Sequence, residues 1–255
     1  MTISARDKAV LIITGYWHVP EQYSRVGSAL ERKGIRVISE CLPTCQNLPP
    51  PHKTIHDDIQ FIKDIVAKEV EEKTLLTVLC HSYGGMVASA ALGEFAVNAE
   101  SSNKGGVTGI IYMSAFVPSE NQSLSGKFGG RLPEFIKVRP DNTCFPEPPA
   151  PVFFSDLSPE DADWAIGLVT RCPVGPLSTP IPGDRVAWRS IPSAYIFCEA
   201  DVALPPKTQR SMVAAAKAQG AKFRVYSLDT NHSPFVNKPE AVADIVVDVI
   251  QSREV

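Results

Sequence analysis

The feature that most constrains the fold is a repeated alternation of short β-branched segments with amphipathic helical segments. The first of these segments, residues 9–14, is apolar on both faces, which is typical of a strand buried within a parallel sheet. Further strands are predicted at 35–39, 75–80, 107–113, 194–198 and 223–228, and helices at 21–33, 54–72, 84–98, 206–219 and 239–251. This alternation predicts an α/β fold with a mainly parallel sheet of about six strands and helices on both faces.

One segment interrupts the alternation. Residues 118–192 are dense in proline, glycine and aromatic residues, and they contain one clear helical pattern at 159–171, with Ser158 at its N-cap position. A segment of this length between two strands is more typical of an active-site lid than of a linker. We therefore expect residues 1–255 to form a single domain, with an inserted helical lid at about 118–192.

Composition limits the partners that can be expected. The chain has 25 Lys+Arg against 28 Asp+Glu, so it offers no basic surface for nucleic acid. It has no run of 18 apolar residues, so a membrane span is not predicted, and the apolar run at 9–13 is too short for the core of a signal peptide. A cytoplasmic protein is expected, and its six cysteines are expected to be reduced thiols.

The strongest local motif is CHSYGG at residues 80–85, where the third strand ends and a helix begins. This is the setting of a nucleophile elbow, G-x-S-x-G, whose strained turn lifts a serine hydroxyl above the carboxyl edge of the sheet. Ser82 is the candidate nucleophile and Gly84 matches the second glycine, whereas Cys80 replaces the first glycine with another compact residue. His81 is adjacent to Ser82, so its side chain is predicted to point away from the serine hydroxyl.

A serine nucleophile requires a base and an orienting carboxylate. Of five histidines, only His232 follows both the elbow and the fifth strand, and it lies on the loop after the sixth strand. The chain order serine, acid, histidine predicts an acid between them. Asp201, just past the fifth strand, is favoured. Glu199 is the main rival, and Asp229, on the histidine loop itself, is predicted to cap that loop.

The loop after the first strand is the second expected component of the site. Two backbone N–H groups are expected to form an oxyanion hole, that of Tyr83 after the nucleophile and that of Tyr16 in this loop. Its neighbours Gly15, Trp17 and His18 are predicted to contact substrate, since a glycine lets the backbone approach a ligand closely.

On these residues the chain resembles the α/β-hydrolase superfamily, and within it the branch of plant methyl-ester hydrolases and hydroxynitrile lyases. It is similar to fungal and bacterial predicted hydrolases of that branch. The resemblance spans nearly the whole chain and implies Ser82, Asp201 and His232 as a catalytic triad. It rests on ITGYWH at 13–18, CHSYGGM at 80–86, YMSAFVP at 112–118, CEAD at 198–201 and NHSPF at 231–235.

Two departures from that family pattern bear on the reaction. Where members usually carry His-Gly, this chain has Thr14 and Gly15. Hydroxynitrile lyases of this type carry a threonine at the position of Gly15 and a lysine at that of Ser233. The resemblance therefore argues against cyanohydrin cleavage.

The sequence therefore predicts a serine hydrolase that cleaves an ester, lactone or thioester of an apolar small molecule through an acyl-enzyme, with no cofactor and no metal. The spacing of Cys41, Cys45, His52 and His56 superficially resembles a zinc site, but the gap between the two pairs is too short. Two alternatives stay open: a non-hydrolytic lyase or cyclising enzyme on the same scaffold, and a receptor-like protein that only binds its ligand. A homodimer is also left open.

Overall fold

The computed structural model describes residues 8–46, 52–97, 105–183 and 185–252. The residues 1–7 on which the expectation of no signal peptide partly rests lie outside these ranges. Within them, no helix is long and apolar enough to cross a membrane. The strands are β1 Lys8–Ile13, β2 Arg36–Ser39, β3 Leu75–His81, β4 Gly106–Met113, β5 Ile136–Val138, β6 Thr143–Pro146, β7 Cys172–Pro173, β8 Ser193–Cys198 and β9 Phe223–Leu228. The α-helices are α1 Ser24–Arg32, α2 Ile55–Glu71, α3 Gly84–Ala91, α4 Pro149–Phe153, α5 Pro159–Gly167, α6 Gly175–Ser178, α7 Pro206–Ala218, α8 Pro234–Asn237 and α9 Pro239–Gln251.

Six strands form one parallel sheet in the order β2-β1-β3-β4-β8-β9. All six correspond to predicted strands, so the predicted fold class is confirmed. The register pairs Ile13 with Cys80 and Cys80 with Tyr112, which brings the carboxyl ends of three central strands level with one another. Loops that leave these ends therefore meet at one edge of the sheet.

The two faces of the sheet are buried against different helices. Along β1, Leu11 and Ile13 pack into one core with residues of α2 and α3, while Val10 and Ile12 pack into a second core with residues of α1 and α9. Successive side chains of a strand point to opposite faces, which is why a strand covered on both sides is apolar throughout. The apolar runs that predicted these strands thus follow directly from their position in the sheet.

The insertion between β4 and β8 contains structure that the sequence analysis did not predict. Its β5, β6 and β7 form a small antiparallel sheet, and the helix expected at 159–171 ends at Gly167. Ile136, Cys144 and Phe153 of the insertion belong to the same buried cluster as β1 and α3. The described part of the insertion therefore packs into the same core as β1 and α3.

The turn from β3 into α3 depends on two glycines. A Cβ atom at Gly85 would lie 2.2 Å from the Phe116 carbonyl oxygen, and one at Gly84 would lie 2.6 Å from the Ile13 carbonyl oxygen. Both neighbours are backbone atoms, so they cannot rotate out of the way. The start of α3 is therefore pressed against the segments that follow β1 and β4.

This contact predicts opposite effects for two glycine substitutions. Gly85→Ala should lower the free energy of unfolding by about 3 kcal/mol or more, because the methyl group overlaps backbone. Gly27→Ala, in the middle of α1, should raise it by about 0.5–1 kcal/mol, because its Cβ would meet only Val37 Cγ1 at 3.9 Å. Urea unfolding of both variants checks this, and a Gly85→Ala protein as stable as the native chain would contradict it.

Candidate active site

Ser82 occupies the strained turn that the motif predicts. Its φ of +52° lies in the left-handed region, which is rare for a residue other than glycine. The carbonyl oxygen of Ser82 accepts hydrogen bonds from Gly85 N at 3.0 Å and from Phe116 N at 3.1 Å, and these bonds hold the turn. The half-buried side chain borders a small cavity. This is the geometry of a nucleophile elbow.

His232 and Asp201 come together at the same edge of the sheet. His232 follows β9 and Asp201 follows β8, and His232 Nδ1 lies 2.8 Å from Asp201 Oδ2, with both side chains buried. With its Nδ1 proton directed at the carboxylate, the neutral ring has a free lone pair at Nε2, as a general base requires.

Ser82 and His232 line the same cavity, although within the described part of the chain no hydrogen bond joins the Ser82 hydroxyl to the imidazole. Such contacts are often loose in a free enzyme and tighten when substrate binds.

Donors that the sequence analysis did not single out surround the Asp201 carboxylate. Its Oδ2 accepts from the Ser114 hydroxyl and from Gln209 Nε2 at 3.1 Å, and its Oδ1 accepts from Leu204 N at 2.9 Å. Ser114 Oγ also lies 3.2 Å from His232 Nδ1. These bonds fix the plane of the carboxylate that faces the imidazole. The available signal for Ser114 was its place in YMSAFVP, directly after the fourth strand.

The rival carboxylate Glu199 has other partners. Its Oε1 accepts from Arg210 at 2.6 Å and from the Ser227 hydroxyl at 2.7 Å, on the exposed side of the strand ends. These contacts hold the pKa of the Glu199 carboxyl below its usual value, with the hydrogen bond from Arg210 as the main cause. Of the two candidates, the structure brings only Asp201 to His232.

The backbone N–H groups of Tyr16 and Tyr83 are available as oxyanion donors. Within the described residues neither N–H donates a hydrogen bond, whereas Gly15 N donates to Tyr23 Oη at 2.9 Å. Trp17, with a φ of +66°, bends the same loop, and its indole N–H donates to the Cys144 carbonyl at 3.2 Å. The loop after β1 is thus held by its side chains, which leaves the Tyr16 amide free.

The cavity beside Ser82 is small and apolar. Its volume is about 30 Å³, room for two or so water molecules. Within the described part of the chain, no carboxylate, ammonium or guanidinium group lines it. The lining residues are Tyr16, Trp17, Ser82, Tyr83, Phe116, Leu124, Phe128, Pro133, Phe135, Ile136, Phe153, Ala203, Leu204 and His232.

Of the residues predicted to contact substrate, Trp17 borders this cavity and His18 lies next to its wall.

The His18 ring packs against Phe153 with ring centroids 5.3 Å apart, and its Nδ1–H donates to the Tyr16 carbonyl at 2.7 Å. Burial lowers the pKa of His18 to about 3, so the ring is neutral. Gly15 approaches His81, since a Cβ on Gly15 would lie 2.6 Å from His81 Nδ1. Contact of Gly15, Trp17 and His18 with substrate stays a prediction.

A buried carboxylate supports the residue that follows the nucleophile. Asp58 on α2 accepts hydrogen bonds from the Tyr83 hydroxyl at 2.8 Å, from the Thr44 hydroxyl at 2.7 Å and from Thr44 N at 3.0 Å. The Tyr83 ring packs against that of Tyr16, with centroids 4.6 Å apart. Burial raises the pKa of Asp58 from 3.8 to about 6, although the three donors oppose the shift.

The cysteines and histidines of the sequence do not gather into a metal centre. No group of three or more histidine, cysteine, aspartate or glutamate residues within the described ranges could hold a metal ion. Cys41 and Cys45 are free thiols, and Cys45 Sγ lies 3.7 Å from Cys172 Sγ of the insertion.

A model of the alpha/beta hydrolase family matches residues 10–245, and the chain belongs to that family. It is 28% identical to an alpha/beta hydrolase of Aspergillus novofumigatus, over 93% of this chain and 94% of the relative. It is 24% identical to methylesterase 1 of Arabidopsis thaliana, over 98% of each chain. Among solved structures, polyneuridine aldehyde esterase is similar with a TM-score of 0.74 at 22% identity, over 95% of this chain and 99% of that one. The pyrethroid hydrolase of Sphingobium faniae is similar with a TM-score of 0.71 at 22% identity, over 94% of this chain and 96% of that one.

The buried Asp58 predicts a pH-dependent contribution to stability. Its pKa in the folded protein, about 6, exceeds the ordinary 3.8, so between these values the folded state holds a proton that the unfolded state has lost. The contribution of Asp58 to stability is therefore present below pH 4 and lost as the pH rises through 6, by on the order of 3 kcal/mol. The native protein should lose stability relative to Asp58→Asn over this interval.

The neighbouring carboxylate provides a matched control. Hydrogen bonds from Thr54 lower the pKa of Asp57 below 3.8, so its stabilising contribution is complete by about pH 4, and Asp57→Asn should give a nearly constant difference from there to pH 7.5. Urea unfolding from pH 4 to 7.5 measures both differences. Equal slopes for the two variants would show that Asp58 does not hold its proton in the folded state.

Proposed function

We propose that this protein is a serine hydrolase that cleaves a carboxylic ester, lactone or thioester of a neutral, apolar small molecule through an acyl-enzyme. The observation that carries the proposal is the buried pair of His232 and Asp201, 2.8 Å apart, whose histidine borders the same cavity as Ser82. A serine in a strained turn, a histidine base and an oriented carboxylate are the groups that acyl transfer requires.

In this mechanism the Ser82 hydroxyl attacks the substrate carbonyl while His232 Nε2 accepts its proton. Asp201 stabilises the resulting imidazolium, and the amides of Tyr16 and Tyr83 donate to the oxyanion. His232 then gives the proton to the leaving oxygen or sulfur, and the acyl group stays on Ser82. Water, deprotonated by His232, attacks the acyl-enzyme and releases the carboxylic acid, which restores the serine.

The relatives support ester cleavage. Methylesterase 1 and polyneuridine aldehyde esterase are named as esterases, and the third protein is named as a pyrethroid hydrolase. The compounds in these names differ. The relatives therefore support hydrolysis as the reaction but do not indicate a particular substrate.

The cavity wall supports a neutral and largely apolar substrate. Its tyrosine and tryptophan donors already have partners, because the Tyr16 hydroxyl donates to the Pro173 carbonyl at 2.5 Å, that of Tyr83 to Asp58, and the indole of Trp17 to Cys144. A ligand therefore meets aromatic and aliphatic surface around Ser82 and His232. Because a cavity of about 30 Å³ is smaller than an ester, we propose that residues of the insertion such as Phe128 and Phe135 move apart to admit one, as in a lid.

The proposed nucleophile is tested with a fluorophosphonate probe. The native protein should be labelled stoichiometrically on Ser82, and Ser82→Ala should lose both the label and at least about 1,000-fold of its activity on p-nitrophenyl esters. Ser89→Ala removes another buried hydroxyl, on α3 and bonded to Tyr112, and it should retain both the label and the activity. Hydrolysis in H₂¹⁸O should place label in the product carboxylate, and its absence from the product would favour a lyase or cyclising enzyme.

Because no charged side chain among the described residues lines the cavity, the protein is predicted to prefer uncharged esters to charged ones. The p-nitrophenyl esters of succinic acid monomethyl ester and of succinic acid itself differ only in whether the distal carboxyl is capped. The charged ester should show a kcat/KM at least about 100-fold lower, because its carboxylate would enter an apolar cavity without a partner. Initial rates at pH 7.5 measure the ratio, and comparable values for the two esters would contradict an apolar substrate.

A further inference from the structure

The imidazole of His81, which the proposed reaction does not use, lies between the functional loops. It is fully buried beside Ser82, and its Nδ1 lies 2.7 Å from the Tyr23 hydroxyl while its Nε2 lies 2.9 Å from the His232 carbonyl oxygen. Tyr23 Oη also accepts the hydrogen bond from Gly15 N at 2.9 Å. One chain of hydrogen bonds thus joins the loop after β1, the nucleophile turn and the loop that carries the base.

The direction of every bond in this chain follows from its ends. The His232 carbonyl can only accept, so His81 Nε2 must carry a proton. The Gly15 N–H can only donate, so Tyr23 Oη accepts from it and directs its own proton at the bare Nδ1 of His81. Each polar atom is then satisfied by the single neutral tautomer that has its proton on Nε2.

The surroundings of His81 oppose a second proton. Its ring faces those of His18 and His232, with centroids 5.4 and 4.6 Å away, and Phe235 covers another side at 4.9 Å. Burial, with His232 and His18 as further causes, holds the pKa of His81 well below 6.5. A proton on Nδ1 would also point at the Tyr23 hydroxyl. Tyr23 could then no longer donate its own proton to His81 Nδ1.

The close contact of Gly15 with His81 and Ser82 is independent evidence that the loop after β1 packs tightly against the nucleophile turn. A Cβ there would lie 2.6 Å from His81 Nδ1 and 3.2 Å from Ser82 Cβ. The loop after β1 therefore packs directly onto the imidazole, and this close packing fixes where the neighbouring Tyr16 amide stands relative to Ser82.

We propose that His81 is a positioning residue. Through its hydrogen bonds to Tyr23 and to the His232 carbonyl, it fixes the relative positions of the loop after β1, Ser82 and His232. This inference rests on the proposed function for its kinetic consequence. The neutral ring serves a second purpose, because it adds no charge next to His232 when that residue becomes an imidazolium. His81 itself touches no reacting atom, so it acts through the three loops that it connects.

The experiment compares two substitutions that each remove one buried hydroxyl. Tyr23→Phe breaks the chain at its centre, whereas Tyr112→Phe removes a hydroxyl that bonds Ser89 on α3. Tyr23→Phe should lower kcat on p-nitrophenyl butyrate, and the rate of fluorophosphonate labelling, by about 10-fold or more while KM changes by less than about 2-fold. Tyr112→Phe should leave both rates within about 2-fold of native. If kcat and the labelling rate fall equally in the two variants, His81 and Tyr23 have only a structural role and the proposal is wrong.

Nuclear magnetic resonance of ¹⁵N-histidine protein gives a readout that does not depend on catalysis. His81 should stay neutral with its proton on Nε2 from pH 5 to 8, and the ring signals of His232 should shift in Tyr23→Phe but not in Tyr112→Phe. A His81 that titrates in this range, or that carries its proton on Nδ1, overturns the proposal. If the native protein is not labelled at Ser82, the proposed function fails, and the His232 shifts alone then decide whether His81 positions that loop.

Discussion

The site depends on one backbone constraint, the left-handed conformation of Ser82 between β3 and α3. That turn is strained for a residue with a Cβ, and the contacts around it hold it in place. The Ser82 carbonyl binds two N–H groups, and the two following glycines let α3 press against the backbone of Ile13 and Phe116. The same close approach brings the ends of β1 and β4 next to Ser82. The loops that follow these two strands therefore lie beside the serine.

Burial then determines the protonation of the groups around the turn. The pKa values of His18 and His81 are lowered, and those of the Tyr16 and Tyr83 phenols are raised, in each case chiefly because the charged form would lose its solvation. These side chains are therefore neutral near pH 7 and serve as fixed donors and acceptors. Most of them are matched within the protein. The buried atoms that lack a partner within the described residues are His18 Nε2 and the hydroxyls of Thr14, Ser39 and Ser233.

The sheet and the elbow could be predicted because their signals are local. The apolar run of residues 9–13 and the glycine two places after Ser82 can each be recognised within one short segment, without knowing which segments pack against it. The small sheet of the insertion could not be predicted, since its strands are two to four residues long, include Pro146 and Pro173, and exist only through pairing between distant segments. For the same reason the sequence favoured Asp201 but kept Glu199 as a rival. The choice between them depends on where His232 lies in space, as do the contacts of Ser114 and Gln209 with the acid.

Hydrogen bonds link the insertion to the loop that carries His232, which bears on how the proposed reaction would admit a ligand. Asp156, shortly after α4, accepts from the Thr230 hydroxyl at 2.7 Å, from Asn231 N at 2.8 Å and from Asn237 Nδ2 at 2.8 Å. Phe153, on the same stretch of the insertion, stacks on the His232 ring with centroids 5.4 Å apart. The segment that narrows the cavity thus also binds the loop that presents the imidazole. A movement of this segment would disturb the loop that carries His232. By contrast, among the described residues 124–136, which include Phe128 and Phe135, none is hydrogen-bonded to Asp156, Asp201 or His232. Under the proposed function, an opening at residues 124–136 would therefore keep Ser82, Asp201 and His232 assembled while a substrate passes Phe128 and Phe135.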